Sequence, residues 1–413
     1  MPGAGGPRVG PRRPPRVATV MGKLDDLMER TWQSHVFGDS YPTAVGRRAL
    51  SERMRAVHAC FLERFRPIVQ GALPDLDPEH VERVVRQIGP KATAFCAAIA
   101  IEIEEVERLA EVSIVFGLLF LFDGLMDDGD LAMAVATHRF IEVHAPRLRL
   151  PASNDAKRLA SAVLRSELDA ARAPRPDPAL VAARARPLAE VARLLHRLSS
   201  PEDAGALIES PVAGFLSHGS AMRQLSQRYL EREEGAFWDD HADEFVAHAI
   251  GSIQTAGTIA VVYSLYRSAR PELPTTGQVL ASPAVRRVCE RFADAASRIF
   301  DDVGDQDVDR RSGPRGRFGL NLFNHPNRRL VEATLRFVGV DDEDVIAATL
   351  RDLAADDSAG DGRIVERFVD VVRGGVASLP AECWRDAGVF LMLLKRIIES
   401  GYVNTLGDAA LAE

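Results

Sequence analysis

The sequence predicts an all-α protein, and three observations carry this prediction. Apolar residues recur mainly at the three- and four-residue spacing of amphipathic helices. Strand signals, meaning alternating runs of Val, Ile and Thr joined by Asn-Gly or Asp-Gly turns, are nearly absent. The chain has 413 residues, of which 46% are hydrophobic, so it can bury a large core. No repeat of about 20–50 residues stands out, so a helical solenoid is not expected.

The helices are predicted in chain order between clusters of Pro, Gly and Asp. Their predicted ranges are 24–36, 46–68, 79–87, 92–127, 131–142, 155–172, 178–197, 203–230, 238–268, 283–311, 327–337, 342–354, 362–376 and 384–400. Residues 1–22 begin with a stretch rich in Pro, Gly and Arg, and we expect them to form a disordered tail. Residues 23–413 are expected to form a single helical domain, with 147–187 as an insertion.

Composition narrows the class of protein further. The net charge of −8 argues against nucleic acid as the main partner. The longest apolar run, around Ile114–Phe122, falls short of the roughly 18–20 residues that a membrane span needs, so no stable membrane insertion is expected. The four cysteines are far apart and form no CxxC pair, which is typical of reduced thiols in a cytoplasmic protein.

A first acidic cluster closes the most apolar predicted helix, within FGLLFLFDGLMDDGD. Phe116, Phe120, Asp123 and Asp127 are spaced by four, three and four residues, so they share one helical face. Two carboxylates therefore lie one turn apart beyond two aromatic rings, and Asp128 follows directly. The rings are expected to line a substrate pocket, although aromatic residues on helices more often belong to the ordinary core.

A second acidic cluster lies within SRIFDDVGDQDVDRRSG. Asp301, Asp305 and Asp309 are spaced by four residues and share a helical face. Arg310 and Arg311 follow at once, where they either clamp an anionic substrate or offset the dipole at a helix C-terminus.

Both clusters suit a hard divalent cation. Like charges one turn apart destabilise a helix by roughly 0.2–0.5 kcal/mol per pair, and a bound cation removes that repulsion. Oxygen-only ligands are typical of Mg²⁺, whereas the absence of His and Cys from both clusters argues against zinc. The alternative is that the aspartates form ordinary solvated helix faces.

The two clusters resemble known metal motifs. The segment DDVGDQDVD, from Asp301 to Asp309, resembles the second metal motif of class I terpene synthases, (N/D)Dxx(S/T)xxxE. It also resembles the second DDxxD motif of trans-prenyl diphosphate synthases. The segment DGLMD resembles the first DDxxD motif of both groups, with Asp123 and Asp127 at the outer positions and Gly124 at the second.

The resemblance implies a class I terpenoid synthase-like helical bundle around a deep apolar cavity. It implies three Mg²⁺ ions that ionise farnesyl or geranylgeranyl diphosphate, followed by cyclisation and release of diphosphate. The implied metal ligands are Asp123, Asp127, Asp128, Asp301, Asp305 and Asp309, and the catalytic set is the same without Asp128. The implied substrate-binding residues are Arg310, Arg311, Phe116, Phe120 and Gln254.

Gln254 enters this set because Gln254-Thr255 resembles the Lys-Thr pair of prenyl diphosphate synthases. Two alternatives stay open: a prenyltransferase that joins two isoprenoid units, and a non-catalytic helical binding protein with acidic surfaces. A homodimer is also left open.

Overall fold

The computed structural model describes residues 44–100, 102–127, 130–144, 176–216, 218–219, 234–289, 294, 298, 328–337, 339, 343–344, 346–348 and 387–394. Every regular element in these ranges is a helix, and no strand occurs among them. The predicted all-α class is therefore confirmed. The deep apolar cavity and the division into domains stay predictions.

The helices follow one another with short connections. Their bounds are α1 Ala44–Ala72, α2 Pro78–Ile99, α3 Val106–Asp127, α4 Leu131–His144, α5 Pro178–Leu198, α6 Pro201–Leu207, α7 Glu234–Gly251, α8 Thr255–Ala269, α9 Thr276–Ala281, α10 Pro283–Val288 and α11 Arg328–Phe337. A π-helical segment, Ile208–Val212, continues α6, and residues 213–216 return to α-helix.

The first five helices form the larger part of the core. Helix α1 packs against α2, α3 and α5, while α4 packs mainly on α5. Helix α1 buries residues every three or four positions, from Met54 through Phe61 and Phe65 to Val69. This period matches the helical repeat, so one face of α1 is apolar and turns inward.

Helix α3 lies at the centre of this bundle and is buried on all sides over ten residues, from Leu109 to Leu118. Neighbouring helices cover it on several sides, since α1, α2 and α5 all contact it. Such a helix needs no amphipathic pattern. The burial ends near its C-terminus, where Asp123 is exposed.

Helix α8 ends where α3 begins. The Tyr266 hydroxyl donates a hydrogen bond to Glu102, just before α3, and Arg108 donates to the Ser268 hydroxyl at 2.8 Å. At about 1.5 Å per residue, the first turn of α8 lies about 12–20 Å along the helix from these contacts.

The stretch Asp240–Ala269, which combines the end of α7 with α8, is long and apolar enough to cross a membrane by length and composition. This stretch is longer than the uninterrupted apolar run Ile114–Phe122 because it includes a few polar residues. In the protein, 67% of its most apolar window is buried. Core helices pass the same test, so this stretch is weak evidence, and the cytoplasmic location stays a prediction.

Two predicted boundaries before α4 are wrong. The predicted 92–127 helix is two helices, because the chain leaves the helical path between Ile99 and Val106. In addition, α2 continues through Pro90. Proline in a helix interior costs about 3 kcal/mol. The buried residues Val81, Val85 and Cys96 on one face of α2 offset that cost.

Part of the predicted insertion belongs to the core. Residues 178–187 are the first half of α5, whose buried positions include Val181 and Leu188. The preceding residues 145–175 lie outside the described part of the chain. Whether 147–187 is an insertion therefore stays a prediction, but its described portion is not a surface element.

Candidate functional site

Helix α3 brings the first acidic cluster to the rim of the bundle. Phe116 is only 2% exposed and belongs to the main core, whereas Asp123, two turns further on, is exposed. Asp127 is the last residue of α3. A Cβ atom added at Gly124 would meet nothing within 4 Å. The end of α3 thus has open space beside an exposed carboxylate, which suits an oxygen-ligated cation.

The Phe120 ring is half-buried and already lies beside a cation. The Lys91 ammonium from α2 is 4.9 Å from its ring centroid. An ammonium over an aromatic face is stabilised by the negative charge of that face. Lys91 therefore brings a positive charge to within about one helical turn of Asp123, where an anion would be attracted.

Six of the predicted site residues lie outside the described residues. They are Asp128, Asp301, Asp305, Asp309, Arg310 and Arg311. Their proposed roles stay predictions. Within the described part of the chain, no group of three or more His, Cys, Asp or Glu side chains is arranged to hold a metal ion.

Gln254 lies at a break between α7 and α8. Its backbone is left-handed, with φ 50° and ψ 45°, which is unusual for a residue other than Gly, Asn or Asp. Its side-chain Nε2 donates to the Gly251 carbonyl at 2.6 Å. A Cβ atom on Gly214 would approach the Gln254 amide to 3.1 Å, so the two segments are in close contact. The predicted 238–268 helix is therefore interrupted where Gln254 was selected.

Asp294 contacts this break and lies within the predicted 283–311 helix. Its carboxylate accepts a hydrogen bond from the Thr255 backbone N–H at 2.6 Å, at the first residue of α8. Asp294 and Arg298 are both helical and buried. The carboxylate at this helix start also fits the positive end of the α8 dipole.

Two buried histidines pack beside the same break. The Nδ1 atoms of His218 and His248 are 3.2 Å apart, so one ring donates a hydrogen bond to the other. Burial and the neighbouring His248 lower the pKa of His218 to about 3. A Cβ atom on Gly251 would lie 2.4 Å from the His218 ring, so only glycine fits there.

A buried arginine connects four segments near the acidic end of α3. Arg184, on α5, has a side chain that is 3% exposed. Its Nε donates to Asp130 at 2.8 Å, and its two terminal nitrogens donate to the two Asp75 oxygens at 2.9 Å each. It also donates to the Ala72 carbonyl at the end of α1. Burial alone would lower the Arg184 pKa, but the hydrogen bonds to Asp75 and Asp130 outweigh it and raise the pKa.

The sequence contains a signal for this arginine that our sequence analysis missed. Arg184 occupies a core position in the helical repeat of α5, three residues after Val181 and four before Leu188. An arginine at a core position predicts a buried carboxylate partner. Asp130 likewise precedes the apolar run LAMAVA, the pattern of a helix N-cap.

An open pocket elsewhere, between α7 and α11, does not suit an isoprenoid. Its walls are mostly charged: Asp240, Asp243, Arg329, Glu332 and Arg336, with Ala242 and Ala333. Arg336 pairs with Glu332 at 2.9 Å and with Glu343 at 2.7 Å. A hydrocarbon chain would gain little from such walls.

No family model matches the chain. No curated protein matches it either. Among solved structures, the chain is similar to the SVS_A2 protein from ancestral sequence reconstruction, in a mutant with DREMH replaced by AQDLE. The two chains are 19% identical, the match covers 86% of this chain and 84% of that one, and the TM-score is 0.48. A likeness this distant carries no argument, so the assignment below rests on the residues and contacts of the chain itself.

Proposed function

We propose that this protein is a Mg²⁺-dependent class I terpene synthase that ionises and cyclises farnesyl or geranylgeranyl diphosphate. The observation that carries the proposal is the position of Asp123. It is an exposed carboxylate near the end of α3, a helix that is buried on all sides from Leu109 to Leu118. A carboxylate there would help hold a metal–diphosphate complex at the end of α3, with the hydrocarbon chain in the predicted apolar cavity.

Two further features support the proposal. The left-handed Gln254 lies at a helix break, and backbone strain of this kind clusters at ligand-binding sites. Asp294 caps the helix after that break. The helix predicted over 283–311 would carry Asp301 two turns beyond Asp294, which would bring the second acidic cluster to the same region.

The residues of the chain have separate tasks in this proposal. Mg²⁺ would supply the positive charge that binds the diphosphate and stabilises it as a leaving group. Asp123, Asp127, Asp128, Asp301, Asp305 and Asp309 would hold the metal. Arg310, Arg311 and Gln254 would bind the diphosphate. Apolar walls would exclude water, which otherwise quenches the carbocation.

Phe116 and Phe120 lie in different environments and would contact different parts of the substrate. Phe120 is half-buried near the rim, and the Lys91 ammonium already lies over its ring. A second cation on that ring would be repelled by the ammonium, whereas an anion beside Lys91 would be attracted. Phe116 is enclosed in the core one turn deeper. The rim at Lys91 and Phe120 therefore favours the diphosphate end of the substrate.

The deciding experiment compares two carboxylates on α3. Asp123→Asn removes the rim charge, and Glu107→Gln makes the same change at the exposed opposite end of the helix. Each purified variant is incubated with Mg²⁺ and farnesyl or geranylgeranyl diphosphate, and the products are analysed by mass spectrometry. We expect Asp123→Asn to lose about tenfold or more of the turnover and Glu107→Gln to retain it. Equal activity of the two variants would remove Asp123 from the site.

Added isopentenyl diphosphate separates cyclisation from elongation. Elongation needs a second diphosphate held by its own basic contacts, but the sequence after Asp127 reads DGDLAMAVAT, which is acidic and then apolar. We expect a diphosphate-free hydrocarbon or alcohol from the single substrate. A diphosphate product that forms only with isopentenyl diphosphate would instead establish the prenyltransferase. No turnover, and no Mg²⁺-dependent binding of inorganic diphosphate, would favour a non-catalytic binding protein.

A further inference from the structure

The network of Asp75, Arg184 and Asp130 does more than join helices. Asp130 contacts three other segments at once. One carboxylate oxygen accepts from the Met133 backbone N–H at 2.9 Å and so caps α4, while the other accepts from Arg184 at 2.8 Å. Its own backbone N–H donates to the Leu125 carbonyl at 3.1 Å. Leu125 belongs to the last turn of α3, between Asp123 and Asp127.

We infer that Arg184, acting through Asp130, is a positioning residue that fixes the last turn of α3 for metal binding. This inference rests on the proposed function for its ligand. Arg184 connects the end of α1 and the following loop to Asp130, and Asp130 connects to the Leu125 carbonyl. The turn that carries Asp123 and Asp127 is therefore tied to three other helices and does not end freely in solvent.

The chemistry of the network suggests that it fixes the positions of side chains more than it adds to the stability of the fold. A buried ion network often contributes no more to stability than well-packed apolar residues of the same volume. Arg184 donates to both oxygens of Asp75 and to one oxygen of Asp130, and this planar fork fixes directions as well as distances. Metal ligands need such fixed directions, because carboxylates must be held close to the coordination geometry that Mg²⁺ requires.

A second buried ion network on α3 offers a matched control. Glu111 has a side chain that is 4% exposed and pairs with Arg64 of α1 at 3.0 Å and with Arg197 of α5. It joins the same three helices, α1, α3 and α5, but about three turns before Asp123. Asp130→Asn and Glu111→Gln each replace a carboxylate by an amide in such a network.

Of the two carboxylate residues, Asp130 is the one that is hydrogen-bonded to the last turn of α3. In Asp130→Asn the amide oxygen still accepts from Met133, while the amide N–H groups face the Arg184 donor and break that contact. We expect the Mg²⁺ concentration that half-saturates binding of inorganic diphosphate, measured by calorimetry, to rise about tenfold or more in Asp130→Asn. We expect Glu111→Gln to lower the melting temperature without moving that concentration. Asp75→Asn, on the half-exposed side of the network, serves in the same comparison if Asp130→Asn does not fold.

Amide hydrogen exchange of the same variants, measured without metal or diphosphate, tests the inference independently of the proposed function. Faster exchange is expected over residues 119–127 in Asp130→Asn and not in Glu111→Gln. An equal Mg²⁺ shift in both variants, or none in Asp130→Asn, would overturn the positioning role. If the unmodified protein binds no diphosphate with Mg²⁺, the proposed function fails. In that case exchange decides whether Arg184 orders the end of α3, and equal exchange in both variants would reject the inference.

Discussion

Single polar residues at otherwise apolar helix positions indicate structural features that can be predicted from the sequence. Asp123 follows an apolar run. It is exposed at the end of that run, as expected for a charged side chain. Arg184 occupies a core position, so a carboxylate partner could be predicted from the sequence. The identity of that partner could not, because Asp75 lies 109 residues away and only the packing of α1 against α5 brings the two together.

At Gln254, substitution by Ala and substitution by Gly are expected to give different stabilities. Its left-handed backbone costs an L-residue with a Cβ atom roughly 1–2 kcal/mol, whereas glycine adopts it freely. Gln254→Ala and Gln254→Gly both lose the hydrogen bond to the Gly251 carbonyl, but only Gly relieves the strain. We expect Gln254→Gly to be more stable than Gln254→Ala by about 1 kcal/mol in urea unfolding. The usual helix ranking, with Ala above Gly, would contradict this.

At the scale of the element, periodicity predicted the existence of the helices better than their ends. The α7–α8 break was not predicted, because the run from 238 to 268 contains no proline. The break instead coincides with long-range contacts, since Asp294 binds the Thr255 N–H and Gly214 contacts the Gln254 side chain. Contacts of this kind depend on residues 40 positions away and leave no local pattern.

Helix α3 contains two glycines for which the same substitution is expected to have opposite effects. A Cβ atom at Gly124 meets open space, so Gly124→Ala should raise the free energy of unfolding by about 0.5–1 kcal/mol through helix propensity alone. A Cβ atom at Gly117 lies 3.0 Å from the Phe65 ring and 3.1 Å from that of Phe61. Both rings are fully buried. Gly117→Ala should therefore lower stability by about 1–2 kcal/mol.

Urea denaturation of the two variants under identical conditions tests this contrast. Because the substitution is the same, changes in the unfolded state largely cancel between the variants. Two variants of equal stability would mean that α1 and α3 can separate at this contact without loss. That result would also weaken the assignment of α3 as the rigid element that positions Asp123.

At the scale of the whole molecule, the sequence predicted the fold class but only part of the site. Helical periodicity and the lack of strand signals are local properties, and the all-α class depends on them. The contacts that join the end of α8 to Glu102 and Arg108, before and within the first turn of α3, are long-range and leave no local pattern in the sequence. The second acidic cluster lies outside the described residues, so its meeting with the first stays a prediction.

Buried neutral histidines should make the stability of the whole molecule depend on pH. His58 is fully buried, and its Nδ1 lies 3.0 Å from the Thr93 hydroxyl. Burial lowers its pKa from 6.5 to about 4, although the hydrogen bond with the Gly89 backbone acts in the opposite direction. His218 and His248 have pKa values lowered by burial as well.

The sign of this dependence follows from which state binds the proton. Between pH 6.5 and 4 the unfolded chain protonates His58 while the folded protein does not, so stability is fully present above pH 6.5 and falls with pH through this range. One histidine contributes up to about 1.4 kcal/mol per pH unit, which gives about 3 kcal/mol for His58 over the whole range. We expect urea unfolding between pH 4.5 and 7.5 to show this loss. His58→Gln, which can keep a hydrogen bond to Thr93, should flatten the curve. Parallel curves for this variant and the unmodified protein would reject the assignment.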